Sequence, residues 1–211
     1  VGATYTFPST ATVLTVASSS ANDDGSPVGT GARTVTIVGL DANYAEVSET
    51  VTMNGTTDVT TTQTFLRVNR AYVATCGSTG SNVGAITIAN TTPTTLAVIV
   101  ATAGVSQQCI YIVPAGKTAF ITRYMLSSYN STAGAATGGQ LFVRPYGGAF
   151  QLATTVRIPG TGAVNCEADY PFPVTEKSDI DFRALALTGS SNVSAQLQMV
   201  VIQNRTDPGN S

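Results

Sequence analysis

Along most of this chain apolar and polar residues alternate one by one, the period of a strand with one dry face and one wet face. Residues 34–40 (TVTIVGL) place Val35 and Ile37 on one face, and Gly39 marks a bulge or a close backbone approach. Residues 49–53 (ETVTM) repeat the alternation and end at Asn54-Gly55, a turn dipeptide that tolerates positive φ. Residues 65–73 (FLRVNRAYV) put Phe65, Arg67, Asn69 and Ala71 on one face and Leu66, Val68, Arg70 and Tyr72 on the other. Further strands are expected at 85–88, 96–100, 110–113, 118–127, 140–144, 150–158, 180–187 and 195–202. Pro114-Ala-Gly116 predicts a tight turn, proline presetting one φ and glycine accepting a positive one. Residues 18–31 and 129–139 read as surface loops.

Turn signals recur about every 8–12 residues, the spacing of a sandwich or barrel. No stretch sustains a 3.6-residue period with caps, so little or no helix is expected. The expected fold is all-β, an antiparallel β-sandwich of jelly-roll-like type. No compositional shift cuts the chain and no fixed-period repeat appears, so residues 1–211 are expected to form a single domain, with residues 1–31 as an extended arm plus loop.

Composition sharpens this. Charged residues make up 10 % of the chain and hydrophobic ones 43 %, so the charge missing relative to the roughly 25 % of ordinary domains is replaced by small polar residues, not by grease. Threonine alone fills roughly one position in six, which suits a pleated, half-buried surface. A low-charge surface costs a free monomer solubility and costs little when identical neighbours cover it, which points to assembly. The net charge is −2 and the eight arginines stand singly, so there is no basic stripe to track phosphates and nucleic-acid binding is not expected. No window carries the run of about 18 apolar residues that a membrane-spanning helix needs.

Candidate chemistry is thin. The chain has no histidine, no tryptophan and two lysines, Lys117 and Lys177. The usual acid–base residue near neutral pH and the best sugar-stacking side chain are thus missing, and no GxSxG elbow occurs, so no enzyme activity is expected. Cys76, Cys109 and Cys166 are too widely spaced for a metal-ligand motif and read as half-buried thiols in strands, with one disulfide among them an alternative. The acidic turn Asn22-Asp23-Asp24-Gly25 could hold Ca²⁺ but lacks the spaced oxygens of a calcium loop, and local hydrogen bonding is the simpler account. Glu176, Asp179 and Asp181 lie beside Lys177 and Arg183 and read as surface pairing. Five N-x-S/T triplets begin at Asn54, Asn90, Asn130, Asn192 and Asn204, more than the roughly two or three that chance supplies, a weak pointer to glycosylation. No cofactor is expected.

Six phrases, in order, resemble a family of virion structural proteins of tailed phages, particularly marine and cyanobacterial ones. They are residues 29–44 (GTGARTVTIVGLDANY), 49–57 (ETVTMNGTT), 65–73 (FLRVNRAYV), 81–88 (SNVGAITI), 111–122 (YIVPAGKTAFIT) and 176–184 (EKSDIDFRA). Where such proteins often approach the VPAGKT turn through Gly-x-Gly-Gln-Ser/Thr, this chain has AGVSQQC at 103–109. The resemblance implies a β-sandwich component of the phage particle. The placing favoured here is a capsid decoration or cement protein on the outer surface of the virion, binding itself and the major capsid protein and stiffening the assembled shell.

A thin, low-charge β protein joins neighbours through sheet edges or faces under closed symmetry, and a trimer is the first expectation. The alternatives are a collar, tail or fibre-associated part, or a host-surface adhesin or carbohydrate-binding module. Arg67 and Arg70, on opposite faces of one strand, are the expected anchors, one buried and paired, the other meeting a neighbour. Tyr129, Tyr146 and Phe150, in or beside expected loops, offer stacking surface for adhesion.

Overall fold

The computed structural model describes residues 5–130, 136–188 and 191–205. Among them no helix occurs, and every strand pairing is antiparallel. The strands form four small sheets, in place of the jelly roll over residues 1–211 that the sequence pattern suggests. The described residues split into two compact units, those up to 108 in one and those from 109 onward in the other. Each has its own apolar core. The composition gives no hint of the division because both halves are built from the same Thr, Val and Gly palette.

The N-terminal unit holds β1 (Leu14–Ser18), β2 (Ala32–Leu40), β3 (Glu46–Thr52), β4 (Val59–Thr60), β5 (Arg67–Cys76), β6 (Ile86–Asn90) and β7 (Thr95–Ile99). They pair as β4-β1-β6-β7 and β3-β2-β5. Leu14 and Val16 of β1, Val35 and Ile37 of β2, Val68 and Ala71 of β5, and Ile86, Ile88 and Ile99 of β6 and β7 are all fully buried in one cluster. Both sheets therefore line a single core, and each large side chain contributes about 1.5–3 kcal/mol by leaving water.

Two details of this unit depart from plain alternation. Within the described part of the expected arm plus loop, residues 5–31, β1 sits inside its sheet between β4 and β6. In β5, the register with β2 shifts between Val38 and Gly39, which pair with Arg70 and Val68 and leave Asn69 bulged. The bulge resets the alternation, so that Val68 and Ala71 both enter the core. Gly39 is required opposite it, since a Cβ there would lie 2.0 Å from the Arg67 carbonyl oxygen.

The C-terminal unit holds β8 (Ile110–Ile112), β9 (Lys117–Asn130), β10 (Ala136–Arg144), β11 (Gln151–Pro159), β12 (Gly162–Val174), β13 (Asp179–Thr188) and β14 (Ser191–Gln203). They pair as β11-β10-β13-β8 and β12-β9-β14. Ala119, Ile121 and Leu126 of β9 meet Leu141, Val156, Ile158, Ile180 and Phe182 of the other sheet in the second core. The turn at Pro114 forms as its residues dictate, Lys117 N–H donating to the Pro114 carbonyl at 3.3 Å with Gly116 at φ 73°. The loop expected at 129–139 is mostly strand: Tyr129 and Asn130 close β9, and residues 136–139 open β10. Residues 131–135 of that stretch, and with them Ser131 and Thr132 of the Asn130 triplet, lie outside the described residues.

Candidate interaction surfaces

β10 and β13 run side by side with Arg144 opposite Asp179 and Phe142 opposite Asp181. Residues two apart on a strand share a face, so Phe142 and Arg144 stand beside Asp179, Asp181 and Arg183. Arg144 binds the Oδ2 of Asp179 through Nε at 2.7 Å and through Nη2, and Arg183 Nε donates to Asp181 Oδ2 at 2.7 Å. The Phe150 ring lies under both guanidinium groups, 4.5 Å from that of Arg144 and 5.2 Å from that of Arg183, and Arg183 also covers Phe142 at 4.6 Å. Both aspartates are buried while the two arginines stay partly exposed, so these are half-buried pairs and not the exposed surface pairing the sequence suggests. Burial pushes the Asp181 carboxyl above its ordinary value against the opposing pull of Arg183.

Of the five expected interaction residues, Arg67 and Arg70 fall in the N-terminal unit and Tyr129, Tyr146 and Phe150 in the C-terminal unit. Phe150 is held inside this stack. Tyr146 is 65 % exposed nearby, with the Lys177 ammonium 5.3 Å from its ring. Tyr129, at the end of β9, is 63 % exposed and borders a shallow recess of about 340 Å³ with Ser127, Ser128, Asn192, Val193 and Ser194. Arg67 is buried in the N-terminal unit, donating to the carbonyl oxygens of Pro8 and Leu66 and lying 5.5 Å from the Phe7 ring and 5.8 Å from that of Tyr44. It fastens residues 5–8 to β5, helped by Val68 N–H donating to Tyr5 Oη at 3.2 Å. Arg70 is exposed, its guanidinium 4.7 Å from the Tyr72 ring.

Sequence reasoning missed Phe142 and Arg144, and with Arg144 the partner of Asp179. The usable signal was that two expected strands each carry alternate charged or aromatic residues at their ends, which invites a cross-strand ladder. It also missed an apolar cleft of about 410 Å³ in the C-terminal unit, where Ile121, Leu141, Val143, Leu152, Phe172 and Val174 face one another. Leu152 and Phe172 stay half-exposed at its rim. This cleft needs β12, a strand that Pro171 and Pro173 hide from pattern reading.

Asp23 resolves the question raised by the acidic turn. It is fully buried, and its two carboxylate oxygens accept from Ser18 Oγ at 2.6 Å, Ala32 N–H at 2.7 Å, and Val83 and Gly84 N–H at 2.8 Å each. The side chain thus ties the end of β1 to two loops and has its lone pairs committed. Asp24 instead caps its own turn, accepting from Ser26 N–H at 2.8 Å. Among the described residues no group of three or more His, Cys, Asp or Glu gathers as metal ligands would.

The three cysteines are half-buried free thiols, Cys76 in β5 and Cys166 in β12 as expected, Cys109 just ahead of β8. Burial, and then the charge of Asp181, push the Cys109 thiol up to about 11, so it stays protonated at neutral pH. Of the glycosylation triplets, Asn90 is buried, its Oδ1 accepting from Thr92 and Thr94 N–H. Among the described residues no helix is long and apolar enough to cross a membrane. Comparison with protein-family models, with curated proteins and with solved structures finds no match for this chain.

Proposed function

We propose that this chain is a non-enzymatic structural protein of a tailed-phage particle, a decoration or cement protein that binds the outer surface of the assembled head as a homo-oligomer. Within this reading each unit is a two-sheet β-sandwich around its own core. The observation that carries the reading is the ordered set of six phrases from residue 29 to residue 184, which runs through both units. The scarcity of charge and the exposed apolar side chains Leu152, Phe172, Val200 and Ile202 support it, because such surfaces suit burial against neighbouring subunits. Binding only the assembled shell would stabilise that shell by mass action.

Purified chain added to expanded heads that lack it is expected to bind saturably and to raise the temperature at which the heads release DNA. A chain that stays monomeric at micromolar concentration and ignores expanded heads overturns the assignment. A second reading, a host-surface adhesin, draws on the exposed rings of Tyr129, Tyr146 and Tyr170, the last 89 % exposed. Tyr146→Ala particles that assemble normally but fail to attach to host cells would favour it. Phe150 serves that test poorly, since its ring is stacked beneath two guanidinium groups.

A further inference from the structure

An edge strand offers unpaired N–H and C=O groups to any strand that comes by, and proteins blunt such edges with brevity, charge or proline. Seven of the eight sheet edges among the described strands are blunted in this way. β4, β7 and β8 are two, five and three residues long. β3 carries Glu46 and Glu49, β5 carries Arg67 and Arg70, β11 carries Arg157 and Pro159, and β12 carries Glu167, Pro171 and Pro173. β14 has none of these devices: its 13 residues, SNVSAQLQMVVIQ, include neither a charge nor a proline.

The same strand holds the exposed apolar pair Val200, 54 % exposed, and Ile202, 47 %. Both lie on the outer face of the sheet with Phe120, which pairs with Val200 on one side and Pro173 on the other. The direction of the free backbone groups follows from the register. Asn204 N–H donates to Gly116 on the β9 side, so by alternation Met199, Val201 and Gln203 turn their backbone groups to the open edge. Leu197 turns the same way, and its backbone group is already engaged by the Cys109 thiol, which limits the open stretch to residues 199–203.

We propose that residues 199–203 of β14 are a self-association edge, joining two copies of this chain antiparallel about Val201. In that register Val201 faces Val201 of the second copy and Met199 faces Gln203, giving about six backbone hydrogen bonds. Val200 then lies directly opposite Ile202 of the second copy, and Ile202 opposite Val200. These are non-hydrogen-bonded positions, where side chains approach most closely and apolar pairs contribute most. Centres on Leu197, Ala195 or Val193 leave the exposed pair unmatched. The occupant is a second copy because this register is self-complementary in both backbone and side chains and meets no like charge across the two-fold. The symmetry is two-fold, in place of the threefold ring expected from the sequence. The inference does not depend on the virion reading: it can hold for a protein that never meets a capsid, and fail for one that does.

The full chain is expected to sediment as a concentration-dependent monomer–dimer mixture up to roughly 100 μM, as a short interface of this kind allows. The double variant Val200→Lys with Ile202→Lys is expected to weaken the dimer at least about tenfold, since it sets like charges against each other, while its circular dichroism and melting temperature stay those of the parent. Mixing it with the Val200→Glu, Ile202→Glu chain should restore a heterodimer. A parent chain that remains monomeric at that concentration overturns the proposal. So does a parent oligomer that the lysine variant leaves intact, or a lysine–glutamate mixture that fails to pair.

Discussion

The two units use one palette of residues to opposite ends. In the N-terminal unit β1, β6 and β7 are five residues long, and its core side chains reach essentially complete burial. Its buried carboxylate, Asp23, spends its acceptors on loop and strand-end donors. In the C-terminal unit β9, β12 and β14 run 13–14 residues, and β14 alternates between exposed and half-buried positions from residue 192 to residue 202. Its buried carboxylates are neutralised by Arg144 across strands and by Arg183 along β13, and its cleft keeps Leu152 and Phe172 half-exposed at the rim. Where polar groups close loops, a unit seals itself. Where they lie on strand faces, one long edge strand, β14, is left without charge or proline.

The most damaging change to this contrast is Asp23→Ala. It leaves Ser18 Oγ and the N–H groups of Ala32, Val83 and Gly84 without their acceptor, and at about 1–3 kcal/mol per orphaned buried group the total loss is expected to be about 4 kcal/mol or more. Hydrogen exchange should show the lost protection over residues 14–99, with Asp24→Ala nearly silent. Protection lost equally from both units would break the comparison.

Next in size is Arg144→Met, which strands the buried Asp179 carboxylate and should cost about 3 kcal/mol, read by urea unfolding. Arg144→Lys should recover only part, because an ammonium cannot reproduce a planar guanidinium that pairs and stacks at once. Phe150→Ala is expected to cost about 1–2 kcal/mol through two lost cation–π contacts. A neutral result would mean that the ring merely rests on the pairs.

The smallest effect is one of pH. The Asp181 carboxyl is raised by burial, with the nearby Asp179 charge adding to it and Arg183 opposing it. The folded state therefore holds this proton more tightly than the unfolded state does. Its contribution favours folding on the acid side of the ordinary aspartate value of 3.8 and fades as pH rises through the raised folded value. Asp181→Asn should flatten that decline in a melting-temperature series across the acid range. A parent and variant with parallel curves would remove Asp181 from the account.

Much of the fold could be read along the chain, and the exceptions share causes. β2, β3, β6, β7 and β8 lie close to their expected positions because alternation needs only one buried face. β12 escaped because Pro171 and Pro173 argue against a strand, yet both fall on a sheet edge, where a missing N–H costs nothing. β1 escaped because it follows the irregular residues 5–13, and only its neighbours β4 and β6 make LTVAS a central strand. The face assignment of Arg67 depends on the Asn69 bulge, a matter of register between two chain segments.

Composition and local pattern were enough to determine an all-β chain with little charge, its strand periods, and its turns at Asn54-Gly55 and Pro114-Ala-Gly116. Those are properties of short stretches, set by side-chain period and backbone φ alone. The division into two cores, the gathering of Arg144, Phe150, Asp179 and Asp181, the commitment of Asp23 and the open edge of β14 were decided only by tertiary structure. Each depends on which distant strands become neighbours, and residues of near-uniform Thr, Val and Gly character carry almost no local preference for one partner over another.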